Sequence, residues 1–512
     1  MKNKEIALIP QPQRIQVSAG ACHATAEITR KTDTSIGNEA YRLKVQPNAI
    51  TVVAGGEAGF FYAEKTLEQL RFQFGGGLPC MEIEDAPAYE YRGFHIDTAR
   101  HYFPLEELKR MIDAAASFKL NRFHWHFSDD QGWRVESKVF PLLHEIGAKR
   151  KGDHFGAYSS DEIEDRYYTQ DEVREVVAFC SARHIEVVPE VDMPGHVTAI
   201  LAAYPTLSCS SKQVEVAASA GIFPEILCPG KEETFTFLFT LLDELCELFP
   251  GRFFHIGGDE TPKTRWESCP CCQRRMADER LDDTRQLQGY LANRVAAYLQ
   301  EKGKTVIAWN ETALGGNLDP AVMLQLWNDD PKDPALKALG GTKDENGKLT
   351  GPNQGIGSKH IRRGGNVITS NMMGSYCDYP YAFISTKKVY EAPVIPQKCE
   401  DIPEEAKAHT KGVEALCWTE YIRTAKELEA HAWPRYAAKA EIGWCGEGRH
   451  SYRGFAGRMK RLYPYLQSKA PCAAPPKSWT PGLLLSAKEM IGFAKNLSKQ
   501  TRDGYAEAQK EI

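Results

Sequence analysis

Two acids stand side by side in the middle of this chain, Asp259 and Glu260 in HIGGDET (255–261). Carboxyls held that close resist ionising together, so one keeps its proton to higher pH. Such a group suits general acid catalysis near neutrality. Other reactive or ring-bearing residues recur along the chain: Arg100, Asp129, Asp130, Glu190, Asp192, His196, Trp309, Trp327, Tyr376, Asp378, Trp418 and Glu420. Their chemistry is that of a sugar site. Indole faces stack on the apolar face of a pyranose, carboxylates and arginine read its hydroxyls, and a carboxylic acid protonates a departing oxygen. Taken singly, each tryptophan fits core packing and each acid fits a salt bridge.

What argues for a site is where these residues fall. From Tyr91 onward, apolar runs of strand length alternate with helical periodicity or long connections. The runs are GFHID (93–97), NRFHWHF (121–127), HIEVVPE (184–190), FFHIGG (253–258), TVIAW (305–309), VMLQLW (322–327), NVITS (366–370) and GVEALCW (412–418). Leu105, Leu108, Met111, Ile112, Ala115 and Phe118 repeat at helical spacing after Pro104, and Thr169 with Glu172 forms a capping box. Eight mostly apolar strands so connected predict an α/β fold, a closed parallel (β/α)8 barrel. An open doubly wound sheet is the other arrangement, and the chain has no glycine-rich phosphate loop to support it. Barrel chemistry sits at the carboxyl ends of the strands, and every one of the eight ends carries residues from the set above. Buried charges without partners are costly, so core packing alone does not produce that convergence.

Residues before Tyr91 read as a small α+β domain, with a helix over 57–74 and a strand at MEIED (81–85). After Trp444 the chain reads helical to its end, as a tail packed against the barrel. The expected division is 1–88, 89–450 and 451–512. The segment 329–365 is polar and glycine-rich and reads as a surface loop or insertion.

With 512 residues, 42% hydrophobic and 26% charged, a net charge of −5 and pI near 6.3, the composition is globular and invites no nucleic acid. No run reaches 18 apolar residues, so no membrane span is expected. The amino terminus has no apolar leader core. A leader removed earlier would make the protein periplasmic or secreted; otherwise it is cytoplasmic. The oligomeric state stays open, a homodimer among the options. Fourteen cysteines lack the pattern of a disulfide scaffold and read mostly as buried thiols. Cys269, Cys271 and Cys272 in WESCPCCQRR have metal-like spacing, but no second CxxC or histidine pair follows at zinc-finger spacing. They read as plain thiols or a loop staple, with no metal or cofactor expected.

HIGGDET, RGFHIDTARHYF (92–103), NRFHWHFSDDQGWR (121–134), PEVDMPGH (189–196) and ALCWTE (415–420) together resemble family 20 glycoside hydrolases, the β-N-acetylhexosaminidases. The resemblance runs from about Glu90 to Trp444 and in outline into the preceding domain. It implies an exo-acting, retaining enzyme that removes terminal N-acetylglucosamine or N-acetylgalactosamine from a carbohydrate substrate, with the substrate's own acetamide as nucleophile. It further implies Glu260 as general acid/base and Asp259 as the anion facing the acetamido nitrogen. Tyr376 would donate to the acetamido oxygen. Arg100 would bind hydroxyls at C3 and C4, Glu420 those at C4 and C6, and Asp378 would reach C6 or the aglycone. Trp309, Trp327 and Trp418 would wall the pocket, and Asp129 and His196 would support Glu260. CPCC carries one cysteine more than the family pattern.

Two other readings compete. His124-x-His126 has metal-ligand spacing on one face of a strand, as in a metal-dependent amidohydrolase or deacetylase, although later strand ends offer tryptophan rather than histidine. A non-catalytic sugar-binding protein would not require an Asp–Glu pair beside an acetamide pocket.

Overall fold

The computed structural model describes residues 6–496 apart from residues 24, 330–341, 344–348, 351–352 and 397. Strands β1 (Arg14–His23), β2 (Ile28–Thr32), β3 (Tyr41–Gln46), β4 (Ala49–Ala54) and β5 (Gly77–Asp85) form a five-stranded sheet in the order β1-β5-β3-β4-β2. Helix α1 (Glu57–Phe74) covers one face, burying Phe60, Ala63, Leu67 and Leu70 against Leu43, Val52 and Ile83. Strict alternation of buried and exposed residues in β3 is what a sheet with one wet face demands.

Eight parallel strands then close into a barrel in chain order: β6 (Tyr91–Asp97), β7 (Arg122–His126), β8 (Glu186–Glu190), β9 (Phe253–His255), β10 (Thr305–Trp309), β11 (Met323–Leu326), β12 (Val367–Thr369) and β13 (Thr410–Ala415). Between them run α2 (Leu105–Ser117), α3 (Gln170–Ser181), α4 (Glu232–Leu248), α5 (Thr264–Ser268), α6 (Pro270–Glu279), α7 (Thr284–Glu301), α8 (Ile356–Arg362) and α9 (Pro403–His409). Helix α2 turns Leu108, Met111, Ile112 and Ala115 inward and keeps Glu106 and Glu107 in its first turn, where the helix dipole favours them. The capping box at Thr169 and Glu172 starts α3.

The barrel interior is layered. Tyr91, Val188, Phe253, Ile307, Met323 and Ile368 form an apolar plug near the amino ends. Above it lies a polar layer centred on Glu190, whose carboxylate meets His124 at 3.0 Å, His255 at 3.0 Å, His126, and the Nε1 of Trp309 at 2.8 Å. His124 also meets Glu414 at 2.8 Å and His126 meets Asp129 at 2.8 Å. The His124-x-His126 pair is therefore packed against carboxylates as hydrogen-bonded core. Despite burial, Glu414 and Glu190 raise the His124 pKa to about 9.

The sheet domain docks on the barrel through ionic contacts. Arg92 pairs with Glu39 at 2.6 Å. Asp85 pairs with Lys119 at 3.0 Å and accepts from Tyr41 Oη at 2.7 Å and Trp444 Nε1 at 2.8 Å.

Three expectations are corrected. The segment 329–365 is not simply a surface loop: α8 buries Ile356, Ser358, His360 and Ile361, and Asp329 accepts from Gly357 N at 3.3 Å. Much of the remainder, including 330–341, lies outside the described residues. Following α10 (Arg435–Cys445), the tail divides. Helix α11 (Tyr452–Lys469) packs on α1 and α2, whereas α12 (Leu483–Asn496) leaves Leu483 and Leu484 more than nine-tenths exposed. The apolar period of α12 did not distinguish a packed from an exposed face. Its Phe493 reaches the rings of Tyr379 and Tyr421 beside the strand ends. Finally, β9 stops at His255 rather than 258, and Asp259–Glu260 do not continue an extended strand.

Candidate active site

Gly257 and Gly258 produce that early stop. Both have positive φ, +64° and +106°, and a Cβ there would stand 1.8 Å from Asp192 Oδ1 or 2.0 Å from Thr312 Oγ1. Only glycine fits such a turn. Glu260 itself sits at φ +42°, an uncommon conformation for a side-chain-bearing residue and one that clusters at functional sites. Its amide donates to Glu311 Oε2 at 2.6 Å, and Asp192 Oδ1 accepts from Gly258 N at 2.9 Å.

His196 lies between two pairs of acids. Its Nδ1 is 3.2 Å from Asp129 Oδ1 and 3.1 Å from Asp130 Oδ2; its Nε2 is 3.9 Å from Asp259 Oδ2 and 3.7 Å from Glu260 Oε2. Burial works against a charged imidazole, yet Asp129, Asp130 and Asp259 raise its pKa well above the ordinary value. Desolvation, with Asp259 and Glu311 adding negative potential against His196 and Arg100, raises Glu260 to about 8. The proton therefore stays on Glu260 at neutral pH. Burial, reinforced by Asp259 and Glu190, likewise raises Asp192.

Arg100 is fixed on four sides. It donates to Gln131 Oε1 at 2.8 Å and Asp97 Oδ2 at 3.2 Å, pairs with Asp129 Oδ2 at 2.8 Å, and stands 3.8 Å from Glu420 Oε1. Its guanidinium carbon is 5.2 Å from the Trp418 ring centroid. Although burial opposes ionisation, Arg100 and His196 keep Asp129 anionic. Burial and the nearby Glu420 raise Asp378.

The aromatic wall is continuous. Ring centroids are 6.0 Å apart for Trp309–Trp418, 6.3 Å for Tyr376–Trp418 and 6.2 Å for Trp327–Tyr376. Desolvation and Asp259 push the Tyr376 phenol well above its usual pKa, leaving it a neutral donor. Around this wall, Trp327 Nε1, Trp418 Nε1, Asp259 Oδ1, Asp378 Oδ1 and His196 Nε2 are buried polar atoms without a hydrogen-bond partner. Unpaired buried polar groups are expensive, and a cluster of them around one cup is what a polar ligand would satisfy.

The eleven residues to which the resemblance gives a role thus gather at one end of the barrel. Several neighbours were missed. Glu311, on the turn after β10, accepts from Asn328 Nδ2 at 2.8 Å and Asn353 Nδ2 at 3.0 Å as well as from Glu260. An acid two residues past a strand end, in WNET, was the available signal. Asp97 closes β6 and Gln131 follows the DD pair; both hold Arg100. Among the described residues, four His/Asp/Glu groups bring ligand atoms within 4.8 Å of one another: His95–His126–Glu190 and His124–Glu190–His255 in the polar layer of the barrel, and Asp129–Asp130–His196 and Asp192–His196–Asp259 at the strand ends; a fifth such group is entirely cysteine.

Residues 89–447 match the glycosyl hydrolase family 20 catalytic domain, and residues 13–86 match glycosyl hydrolase family 20, domain 2. A β-hexosaminidase of Porphyromonas gingivalis is 34% identical over 430 residues, 82% of this chain, and the chain spans only 52% of that relative. A β-hexosaminidase of Akkermansia muciniphila is 33% identical over 467 residues, covering 89% of each. The crystal structure of β-N-acetylhexosaminidase from Bacteroides fragilis superposes with a TM-score of 0.78 at 28% identity, over 93% of this chain and 99% of that one. An exo β-N-acetylglucosaminidase from Vibrio harveyi in complex with N-acetylglucosamine gives 0.76 at 25%, over 92% and 78%. Among the described residues no helix is long and apolar enough to cross a membrane.

Proposed function

The chain belongs to glycosyl hydrolase family 20, and from that premise we propose that it is an exo-acting retaining β-N-acetylhexosaminidase that releases terminal β-linked N-acetylglucosamine or N-acetylgalactosamine by substrate-assisted catalysis. The observation that carries this reading is the Asp259–Glu260 turn, with one acid held protonated beside His196 and the other beside the phenol of Tyr376. The three-part division at residues 88 and 450 belongs to the same reading.

Most retaining glycosidases use a second carboxylate as nucleophile, and family 20 is among the exceptions. The acetamido oxygen attacks C1 while the bond from C1 to the aglycone oxygen breaks. That oxygen takes the Glu260 proton and leaves as an alcohol. The sugar is left as an oxazolinium ion, whose positive nitrogen faces the Asp259 carboxylate. Tyr376 donates to the acetamido oxygen and orients it. Water then adds to C1, giving its proton to the Glu260 carboxylate and reopening the ring with retention. Because the nucleophile is tethered, much of the orientational entropy is prepaid.

Arg100, held by Asp97, Asp129 and Gln131, presents its guanidinium to hydroxyls at C3 and C4. Glu420 reads C4 and C6, and Asp378 reads C6 or the aglycone. Trp309, Trp327 and Trp418 enclose the acetamide and the apolar ring face. Asp129 and His196 hold the field around Glu260.

The test compares a chromogenic β-N-acetylglucosaminide with the matching β-glucoside that lacks the N-acyl group. The first should be cleaved with retention, inhibited by a thiazoline analogue of the intermediate, and the second should be inert. Equal rates on both would refute the mechanism.

A further inference from the structure

We propose that Cys209, Cys228, Cys269 and Cys272 bind one zinc ion as a closed tetrathiolate site beside the catalytic pocket. Their four sulfurs all lie within 4.8 Å of one another. Three of the separations are 3.7 Å for Cys209–Cys272, 3.8 Å for Cys228–Cys269 and 3.5 Å for Cys228–Cys272. Zinc binds thiolate at ~2.3 Å, and a tetrahedron with arms of that length has edges of about 3.8 Å. A disulfide requires ~2.05 Å. The sulfurs therefore stand where four ligands of one small ion stand.

The backbone delivers them in two pairs. Ser208 bridges to Leu227, and Cys228 N donates to Leu207 O at 2.8 Å, which sets Cys209 beside Cys228. Cys269 is the N-cap of α6 and Cys272 lies in its first turn, where the helix dipole favours thiolate. The two pairs are pressed together at Gly230, where a Cβ would stand 2.3 Å from Cys271 C and 2.5 Å from Cys272 N.

The shell around the cluster is apolar: Ile226, Trp266 and Leu287 are buried against it, with Met276 and Leu281 partly so. Four soft sulfur donors in tetrahedral array select zinc among the common divalent ions. On binding, four thiols release four protons to solvent and the ion keeps no open position, so its role is structural. The consequence is positional. The loop carrying Cys209 and Cys228 also donates Ala217 N to Asp130 O at 3.0 Å and accepts Gln131 Nε2 on Ser219 O at 2.9 Å. Asp130 and Gln131 in turn hold His196 and Arg100. The ion would tie this loop to α5 and α6, the segment that follows Asp259–Glu260.

Cys271 supplies an internal control, being adjacent in sequence yet outside the cluster. The full chain, purified under a phosphine reductant without chelator, should carry close to one zinc per chain by elemental mass spectrometry. Cys228→Ser and Cys272→Ser should lose it, and Cys271→Ser should retain it. Should the serine variants fail to fold, cobalt(II) exchanged into the unaltered chain should give thiolate-to-cobalt charge transfer and the visible bands of a tetrahedral ion. The proposal is overturned by any of three results: metal below about a tenth of an equivalent after zinc incubation under reducing conditions, equal loss from Cys271→Ser, or disulfides among the four cysteines by peptide mapping of freshly purified protein.

Discussion

His196 Nε2 lies 3.7 Å from Glu260 Oε2, while the opposite ring nitrogen lies 3.1 Å from Asp130 Oδ2. The imidazole thus carries charge from one buried acid pair to the face of the other. As a cation it lowers the Glu260 pKa; Glu311, which accepts from the Glu260 amide, raises it.

These opposed influences predict opposed pH shifts. His196→Gln removes the positive neighbour, so the basic limb of kcat/KM should move to higher pH, with activity down ~10–100-fold, part of the usual share of general acid catalysis. Glu311→Gln removes negative potential and should move the same limb to lower pH. Full pH–rate profiles of both variants check this; shifts in the same direction would contradict the assignment.

Glu260→Gln should lower kcat by ~10²–10⁴-fold on substrates with poor leaving groups, with much less effect on those whose leaving group needs no proton. In the unaltered enzyme, activity should fall as pH rises through about 8, where Glu260 loses its proton. A comparison of aryl glycosides spanning leaving-group acidity measures the first effect.

The same substitution should change stability with a definite sign. Glutamate ionises at ~4.3 in an unfolded chain but at about 8 in this fold. The folded state therefore binds the proton more tightly, and that contribution is complete below pH ~4 and lost as pH climbs towards about 8. The glutamine variant has no such loss. Its melting temperature relative to the parent should rise from pH ~5 to ~8 and then level off. Thermal melts across that range decide it.

Asp259→Asn should cost ~10²–10³-fold in kcat, the scale seen when one group aimed at developing charge is removed. It should also weaken a thiazoline inhibitor, whose protonated ring pairs with the carboxylate. Inhibition constants for parent and variant, measured side by side, test both.

Far from the pocket, Asp85 and Lys119 form an ion pair at 3.0 Å with side chains 0% and 1% exposed. Asp85→Ala leaves the ammonium buried without its carboxylate, a loss of ~3–5 kcal/mol. Denaturant titration should show the shift, and activity per folded molecule at low denaturant should hold.

The barrel was legible because each strand is a short apolar run, and TVIAW (305–309) matches β10 residue for residue. Tyr376, Asp378 and Glu420 were legible as polar residues just past such runs. Asp97 ends its run just as Glu190 and Trp309 end theirs, but its part, holding Arg100 at 3.2 Å, shows only in the folded barrel. Glu311 was hidden by the turn that carries it back over Glu260. The bend at Gly257 and Gly258 had a signal in its two glycines, but FFHIGG reads as continuous strand until the crowding by Asp192 and Thr312 is seen. Cys209 and Cys228 lie 60 and 41 residues from their partners in CPCC, a proximity that only the folded loop creates.

That crowded bend also bears on how this enzyme can diversify. With no volume for a side chain at Gly257 or Gly258, the acid pair rides on a hinge that tolerates almost no variation. New preferences for linkage or aglycone must then be written in the long connections after β8 and β12, about 200–230 and 375–411, at positions other than Tyr376, Asp378 and the residues of the first loop that hold Asp130, Gln131 and the four-cysteine cluster. Directed evolution should sample those loops and leave the bend untouched.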